Sequence, residues 1–258
     1  MGSIGEGHEP GVYLNSKGKK TFIPLENNPK VFTELVHHLG VSPKLGFYDV
    51  YSTDPELLAF VPRPAHALIF IAPADVYYRL HDKDLPKDFT YDGSGDQEPV
   101  LWMKQTIGHA CGLMALLHSV TNGAAKQFVT SDSTLDKIIK EIIPLKPLPR
   151  ADALYNSAAL EKAHMSVARK GDSVAPEAEE PNGYHFISFV KGDDGHLYEL
   201  NGGWDGPINC GKLGEDEDCL SDKAIEIGAG RYVQCGVAEG NVEFSMVALA
   251  TKPEWEES

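Results

Sequence analysis

The chain has 258 residues, is 42% hydrophobic and carries a formal net charge of −15. That length is enough for one fully cored domain, and the acidic excess argues against nucleic acid or an anionic membrane surface as partner. No apolar run reaches the length needed to cross a bilayer, so a soluble protein with no membrane partner is expected.

Residues 1–20 are rich in Gly, Ser, Lys and His without hydrophobic period, and are expected to form a flexible extension. There is no apolar signal-peptide core, and Glu6 stands where a myristoylation signal wants Ser or Thr. Order is expected from Phe22-Ile23-Pro24-Leu25. A helix follows from Pro29 through Val31, Phe32, Leu35, Val36 and Leu39, and stops at Gly40. Phe47–Tyr51 is a short strand candidate. Asp54-Pro55 caps a further helical turn, which Val61-Pro62-Arg63-Pro64 breaks. Ala67–Ala72 is a continuous apolar run of strand length and predicts a central strand. Residues 81–99 read as a solvent loop.

Next comes Gln105-Thr106-Ile107-Gly108-His109-Ala110-Cys111-Gly112, running into Leu113, Leu116, Leu117 and Val120 at helical spacing. Cys111 thus falls in the first turn of an apolar helix, where unpaired N–H groups and the helix dipole favour a thiolate. Gln105, six residues upstream, carries an amide donor of the kind that stabilises an oxyanion. The plain alternative is a small apolar residue at the start of a core helix, so a base has to be found elsewhere in the chain.

Ser133–Ile143 predicts an amphipathic helix, and Ala151–Arg169 is helical in part. The acidic, proline-bearing stretch that follows suggests a mobile loop, placed at about residues 165–183. His185–Val190 and His196–Asn201 flank an Asp-Gly turn and predict a β-hairpin. With an odd loop centred on Asp193, His185 lies opposite Asn201 on one face, so the amide could orient the imidazole. His109, His118 and His196 compete as bases, and His109 stays open on local chemistry alone. His118 is seven residues, about 10 Å of helix rise, beyond Cys111. Residues 221–231 are expected to be helical and 242–250 a final strand.

A thiol at a helix start, an amide donor before it and a His–Asn pair on a hairpin form the parts of a cysteine hydrolase. Three segments, 105–112, 185–187 and 197–202, resemble the signature segments of the ubiquitin carboxyl-terminal hydrolases, a family of papain-like thiol peptidases. Phe22–Glu26, Asp54–Leu58 and Val61–Pro64 are similar to that family's N-terminal part, and the likeness runs in order over about residues 21–251. The resemblance implies an α+β, papain-like fold: a central, mainly antiparallel six-stranded sheet wrapped by helices, with a knotted chain path. It implies one domain over 21–252, a crossover loop above the site and a short tail at 253–258.

On the family pattern Cys111 is the nucleophile, His185 the general base and acid, Gln105 the oxyanion donor and Asn201 the third triad member. The implied activity is a thiol-dependent deubiquitinase acting at the C-terminal glycine of ubiquitin and releasing small adducts or short extensions. The partner is ubiquitin, or a related ubiquitin-like modifier, whose basic tail suits an acidic surface. A monomer is expected, in the cytoplasm with the nucleus also open. The four cysteines have neither CxxC nor zinc spacing, so no metal and no cofactor are expected. Two positions depart from the family pattern: Asn201, where Asp is usual, and His109, where Asn is common. The first leaves a competing expectation, a ubiquitin-binding protein whose catalysis is weak or lost.

Overall fold

The computed structural model describes residues 3–4, 7–81, 90–174, 183–238, 240 and 243–254. Its elements, in chain order, begin with three two-residue strands, β1 (Ser3–Ile4), β2 (Tyr13–Leu14) and β3 (Lys20–Thr21). Then come α1 (Pro29–Leu39), β4 (Leu45–Asp49), α2 (Pro55–Leu58), β5 (Ala65–Pro73), α3 (Ala74–His81) and α4 (Cys111–Val120). A 3-10 turn over Gly123–Phe128 leads to α5 (Thr134–Ile142), α6 (Pro147–Asn156) and α7 (Ala158–Val167). The chain continues through β6 (Tyr184–Lys191), β7 (His196–Leu200), β8 (Ile208–Lys212), α8 (Asp222–Ile227), α9 (Ala229–Ala238) and β9 (Ser245–Thr251).

The expected cap at Asp54 forms, and Asn28 and Ser133 cap two further helices. Asn28 Oδ1 accepts from the Lys30 N–H at 2.9 Å, Asp54 Oδ1 from the Glu56 N–H at 2.9 Å, and Ser133 Oγ from the Asp136 N–H at 3.2 Å. Gly40 closes α1 in the left-handed region with φ 102°.

The main sheet has six strands in the order β4-β9-β5-β6-β7-β8, and the neighbouring pairs are antiparallel. Its α+β, mainly antiparallel character agrees with the expectation. The apolar run at 67–72 is indeed central, paired with β6 on one side and β9 on the other. Because side chains alternate across a strand, β5 and β6 feed two separate cores. Ala67, Ile69, Phe186 and Val190 join α1, α4 and the helices around α5–α7. Leu68, Phe70, Ile187 and Phe189 face α8, α9 and Tyr77 of α3. Helix α4 is fixed to the first face by a Ser119 Oγ···Ser188 Oγ contact of 2.9 Å.

Four expectations need correction. Within the stretch expected to be flexible, Val12 and Lys20 are buried. Lys20 Nζ sits 2.7 Å from Glu161 and donates to the Tyr155 carbonyl at 2.7 Å, so a charge there is paired rather than solvated. The helix expected over 221–231 is two helices, broken at Gly228, and the second continues to Ala238. Two elements were not foreseen: α3, whose apolar face is Val76 and Tyr77 with Leu80 partly buried beside them, and β8, a short, mostly polar edge strand. The hairpin pairs Ser188 with Leu200 and Lys191 with Leu197, so its turn centres on Asp194, not Asp193. Of the loop expected at 165–183, residues 175–182 lie outside the described residues. Residues 165–167 belong to α7, and Ser173 N–H donates to Glu26 at 3.0 Å.

Two core histidines are held neutral. His118 accepts the Met103 N–H at Nε2 at 2.9 Å, and His164 Nε2 lies 2.8 Å from the Ile23 carbonyl. Burial pulls their pKa values down to about 3 and about 4. The unfolded chain takes up these protons near the ordinary value of about 6.5, so the stability from each site is complete above that pH and is lost as pH falls toward the folded value. Denaturant titrations at pH 7 and pH 5 should therefore differ by about 2 kcal/mol per histidine, about 4 kcal/mol together. Replacing His118 with Gln should halve that difference; a difference below about 1 kcal/mol in the native chain would contradict the assignment.

Candidate active site

Cys111 is the first residue of α4 and follows Ala110, which offers no side-chain cap. The sulfur meets the N–H groups of Phe186, Gly112 and Cys111 itself, each of which favours its charged form. Burial outweighs them and pushes the thiol pKa up. The thiolate expected from the helix terminus alone is therefore corrected: in the free chain the sulfur is a neutral thiol. Donors at a helix start lower a cysteine's pKa only as far as desolvation leaves them the larger influence.

The approach to the cysteine is tied down on both sides. Leu101 N–H donates to Asn122 Oδ1 at 2.6 Å, Met103 N–H to His118 at 2.9 Å and Gln105 N–H to the Gly202 carbonyl at 2.7 Å. Trp102 Nε1 donates to the Asn201 carbonyl at 3.1 Å, while fully buried Arg150 donates to the Trp102 carbonyl at 2.6 Å and pairs with Glu98. Glycine at 202 suits this approach, since a Cβ there would lie tightly, 3.1 Å from the Met103 carbonyl and 3.2 Å from the Gln105 nitrogen. Farther on, Gly108 N–H donates to the Lys20 carbonyl at 2.9 Å and Phe22 N–H to the Gly108 carbonyl at 2.9 Å. The supposed extension thus contacts the loop before the cysteine. The Gln105 side chain folds back within that loop, its Nε2 donating to the Ile107 carbonyl at 3.0 Å.

His185 and Asn201 emerge on one face of the hairpin. Continuing the printed pairs from Ser188–Leu200 puts 187 opposite 201 and 185 opposite 203. The expected direct pairing is therefore off by one two-residue step, which preserves the shared face and makes the relation diagonal. The His185 ring packs 5.3 Å from the Tyr77 ring and 5.6 Å, edge to face, from Tyr78. Burial alone lowers its pKa. Among the described residues no hydrogen bond or ion pair links Cys111 to His185, or His185 to Asn201. Asn201 Oδ1 instead accepts the Gly203 N–H at 2.8 Å. The structure brings the segments that bear these four residues to one end of the sheet, but does not join the side chains into a triad.

The competing histidines separate clearly. His118 is a core acceptor, and His164, also buried, donates to the Ile23 carbonyl. His196 pairs with Asp194 at 3.1 Å at the opposite end of β7 from Asn201. His109 sits within the loop at φ 55°, in the left-handed region, with a buried Nδ1 that has no partner. Tyr77, against the His185 ring, was missed by sequence reading, and the only signal for it was the aromatic pair Tyr77-Tyr78 after the apolar run. Among the described residues no group of three or more His, Cys, Asp or Glu is placed to hold a metal ion, and no helix is long and apolar enough to cross a membrane.

Comparison with known proteins bears on the same residues. The pattern of ubiquitin carboxyl-terminal hydrolase family 1 matches residues 22–231. A probable ubiquitin carboxyl-terminal hydrolase of Dictyostelium discoideum is 35% identical over 237 residues, 91% of this chain and 90% of that one. Ubiquitin carboxyl-terminal hydrolase YUH1 of Saccharomyces cerevisiae is 30% identical over 244 residues, 92% and 98% of the two chains. Among solved structures, the Trichinella spiralis UCH37 catalytic domain bound to ubiquitin vinyl methyl ester superposes with a TM-score of 0.67. It is 22% identical, over 93% of this chain and all of that one, and so speaks to the fold.

The strained His109 yields a direct test. Asn tolerates the left-handed region better than His, and a smaller side chain removes the unpaired ring nitrogen. Replacing His109 with Asn should stabilise the fold by about 1 kcal/mol, a rise in melting temperature of about 2–4 °C. An unchanged or lower melting temperature would contradict this reading.

Proposed function

Because the chain belongs to ubiquitin carboxyl-terminal hydrolase family 1, a family of cysteine-type deubiquitinating hydrolases, we propose that it cleaves at the C-terminal glycine of ubiquitin through Cys111, His185, Asn201 and Gln105. The observation that carries this reading is the meeting of α4 with β6. The N–H of Phe186, the residue next to His185, reaches the sulfur of Cys111, which supports a site shared by the two segments.

In this mechanism His185 Nε2 takes the Cys111 proton, and the sulfur attacks the glycine carbonyl carbon. The Gln105 amide, released from Ile107, donates to the carbonyl oxygen as it becomes negative. The imidazolium gives its proton to the leaving amine, and water, deprotonated by the same ring, hydrolyses the thioester and restores the thiol. Asn201 Oδ1 accepts Nδ1–H of His185 and holds the tautomer that presents Nε2 to the sulfur. The raised Cys111 pKa and the packing of His185 against Tyr77 and Tyr78 are consistent with an ion pair that forms only when substrate binds. Ubiquitin, whose tail is basic, suits a chain of net charge −15.

Asn201 orients the imidazole without adding a negative charge, so the imidazolium intermediate is less stabilised than with the family Asp. Asn201→Asp should raise turnover by about ten-fold or more, the worth of one charge-assisted over one neutral hydrogen bond. Unchanged or lower turnover would refute that role. A ubiquitin bearing an electrophile at its C-terminus should capture Cys111 covalently. Tight binding without capture would instead favour a binding protein that has lost catalysis.

A further inference from the structure

Behind His185 lies an aromatic and ionic cluster that the proposed mechanism leaves unused. Tyr77, nearly inaccessible to solvent, packs its ring 5.3 Å from His185 and 5.6 Å from Trp204, and the Trp204 N–H donates to the Asn201 carbonyl at 3.2 Å. The Tyr77 ring therefore lies against both the histidine and the turn that carries Asn201. Other neighbours hold it rigidly: His81 lies 4.8 Å away and Tyr232 is stacked at 6.2 Å. Those two are themselves locked, Tyr232 Oη donating to Glu199 at 2.7 Å and His81 Nε2 lying 3.0 Å from the same carboxylate oxygen.

Three polar atoms in this region are buried without a hydrogen-bond partner, Tyr77 Oη, His81 Nδ1 and Asn201 Nδ2, and of these the last is an amide donor with nothing to donate to. Burial and the Glu199 charge raise the Tyr77 pKa, and the Asn201 amide acts in the opposite direction, which places the amide beside the hydroxyl. An asparagine side chain has one oxygen with two lone pairs and one nitrogen with two hydrogens. Here the oxygen already takes the Gly203 N–H, leaving one lone pair for the imidazole, while the nitrogen has nothing to donate to. An unheld amide end in a buried site costs free energy and leaves the group free to turn.

We propose that Tyr77 is a positioning residue for Asn201: its hydroxyl oxygen accepts the Asn201 Nδ2–H and so keeps Oδ1 aimed at the His185 ring. The inference rests on the Cys-His-Asn reading and deepens it. An aspartate at 201 has no N–H to place, so the need for this acceptor is specific to a chain with Asn201.

The test is steady-state hydrolysis of ubiquitin carrying a fluorogenic amide at its C-terminus, with Tyr77→Phe made in the native, Asn201→Asp and Asn201→Ala chains. In the native chain the substitution should lower kcat by about five-fold, one neutral hydrogen bond, with KM unchanged. In the Ala chain, whose position 201 has no polar group for the hydroxyl to meet, the change should be less than about two-fold, whereas in the Asp chain the hydroxyl can donate to the carboxylate and a loss is expected there too. The melting temperature should fall further in the native chain than in the Ala chain, which has no such bond to lose. An equal loss of kcat in every background marks Tyr77 as packing only and overturns the proposal, as does no loss in an active native chain. A native chain that neither turns over nor is captured by the electrophilic ubiquitin would remove the hydrolase reading, and this inference with it.

Discussion

The site depends on one constraint: the polar backbone groups of the segment 101–105, buried at residues 101–103, need partners from the protein. Helix α4 supplies His118 and Asn122, the α5–α6 region supplies Arg150, and the end of β7 supplies the carbonyls of Asn201 and Gly202. Satisfying these bonds draws the cysteine loop onto the hairpin that carries the histidine. The site is thus assembled by backbone accounting before any side chain of the chemistry takes part. Arg150 and His118, neither near the thiol, are as necessary to the geometry as the glycines beside it.

Inside that frame the reacting groups are held apart and neutral. Desolvation dominates both: it raises the Cys111 pKa and lowers that of His185, so each prefers its uncharged form. A closed site with a neutral thiol resists stray oxidation and alkylation, since the thiolate is the reactive species. The same desolvation strengthens every electrostatic contact once substrate supplies the rearrangement. Asn201 fits this logic. Without a carboxylate behind the ring, the chain has less to hold a resting ion pair together.

Much of this was legible in the residues. Pro29 and Gly40 bounded the first helix and the Asp54 cap placed the second, because such terminal signals act locally and need no tertiary context. The apolar run 67–72 read as central because a strand buried on both faces loses its alternation. The parity of the hairpin was legible, but its exact turn was not: Asp193-Asp194-Gly195 offers two centres, and the choice was made by pairing with neighbouring strands. Residues 7–20 misled because what ties them down is distant in sequence: His8, the Glu9 N–H and Lys20 all meet Glu161, 141 positions beyond the lysine, and leave no local trace. The sulfur's protonation state was likewise invisible, since the helix start is local and the burial that opposes it is not. Tyr77 was hidden because α3 shows so narrow an apolar face.

The central claim is that the free chain keeps Cys111 as a neutral thiol, apart from His185. The rate of Cys111 alkylation by iodoacetamide, followed against pH in the protein without ubiquitin, measures this directly. The account predicts a slow reaction that keeps rising through about pH 9, beyond the ordinary thiol range. A fast reaction on a flat plateau between about pH 6 and 8 would report a preformed thiolate–imidazolium pair and contradict it.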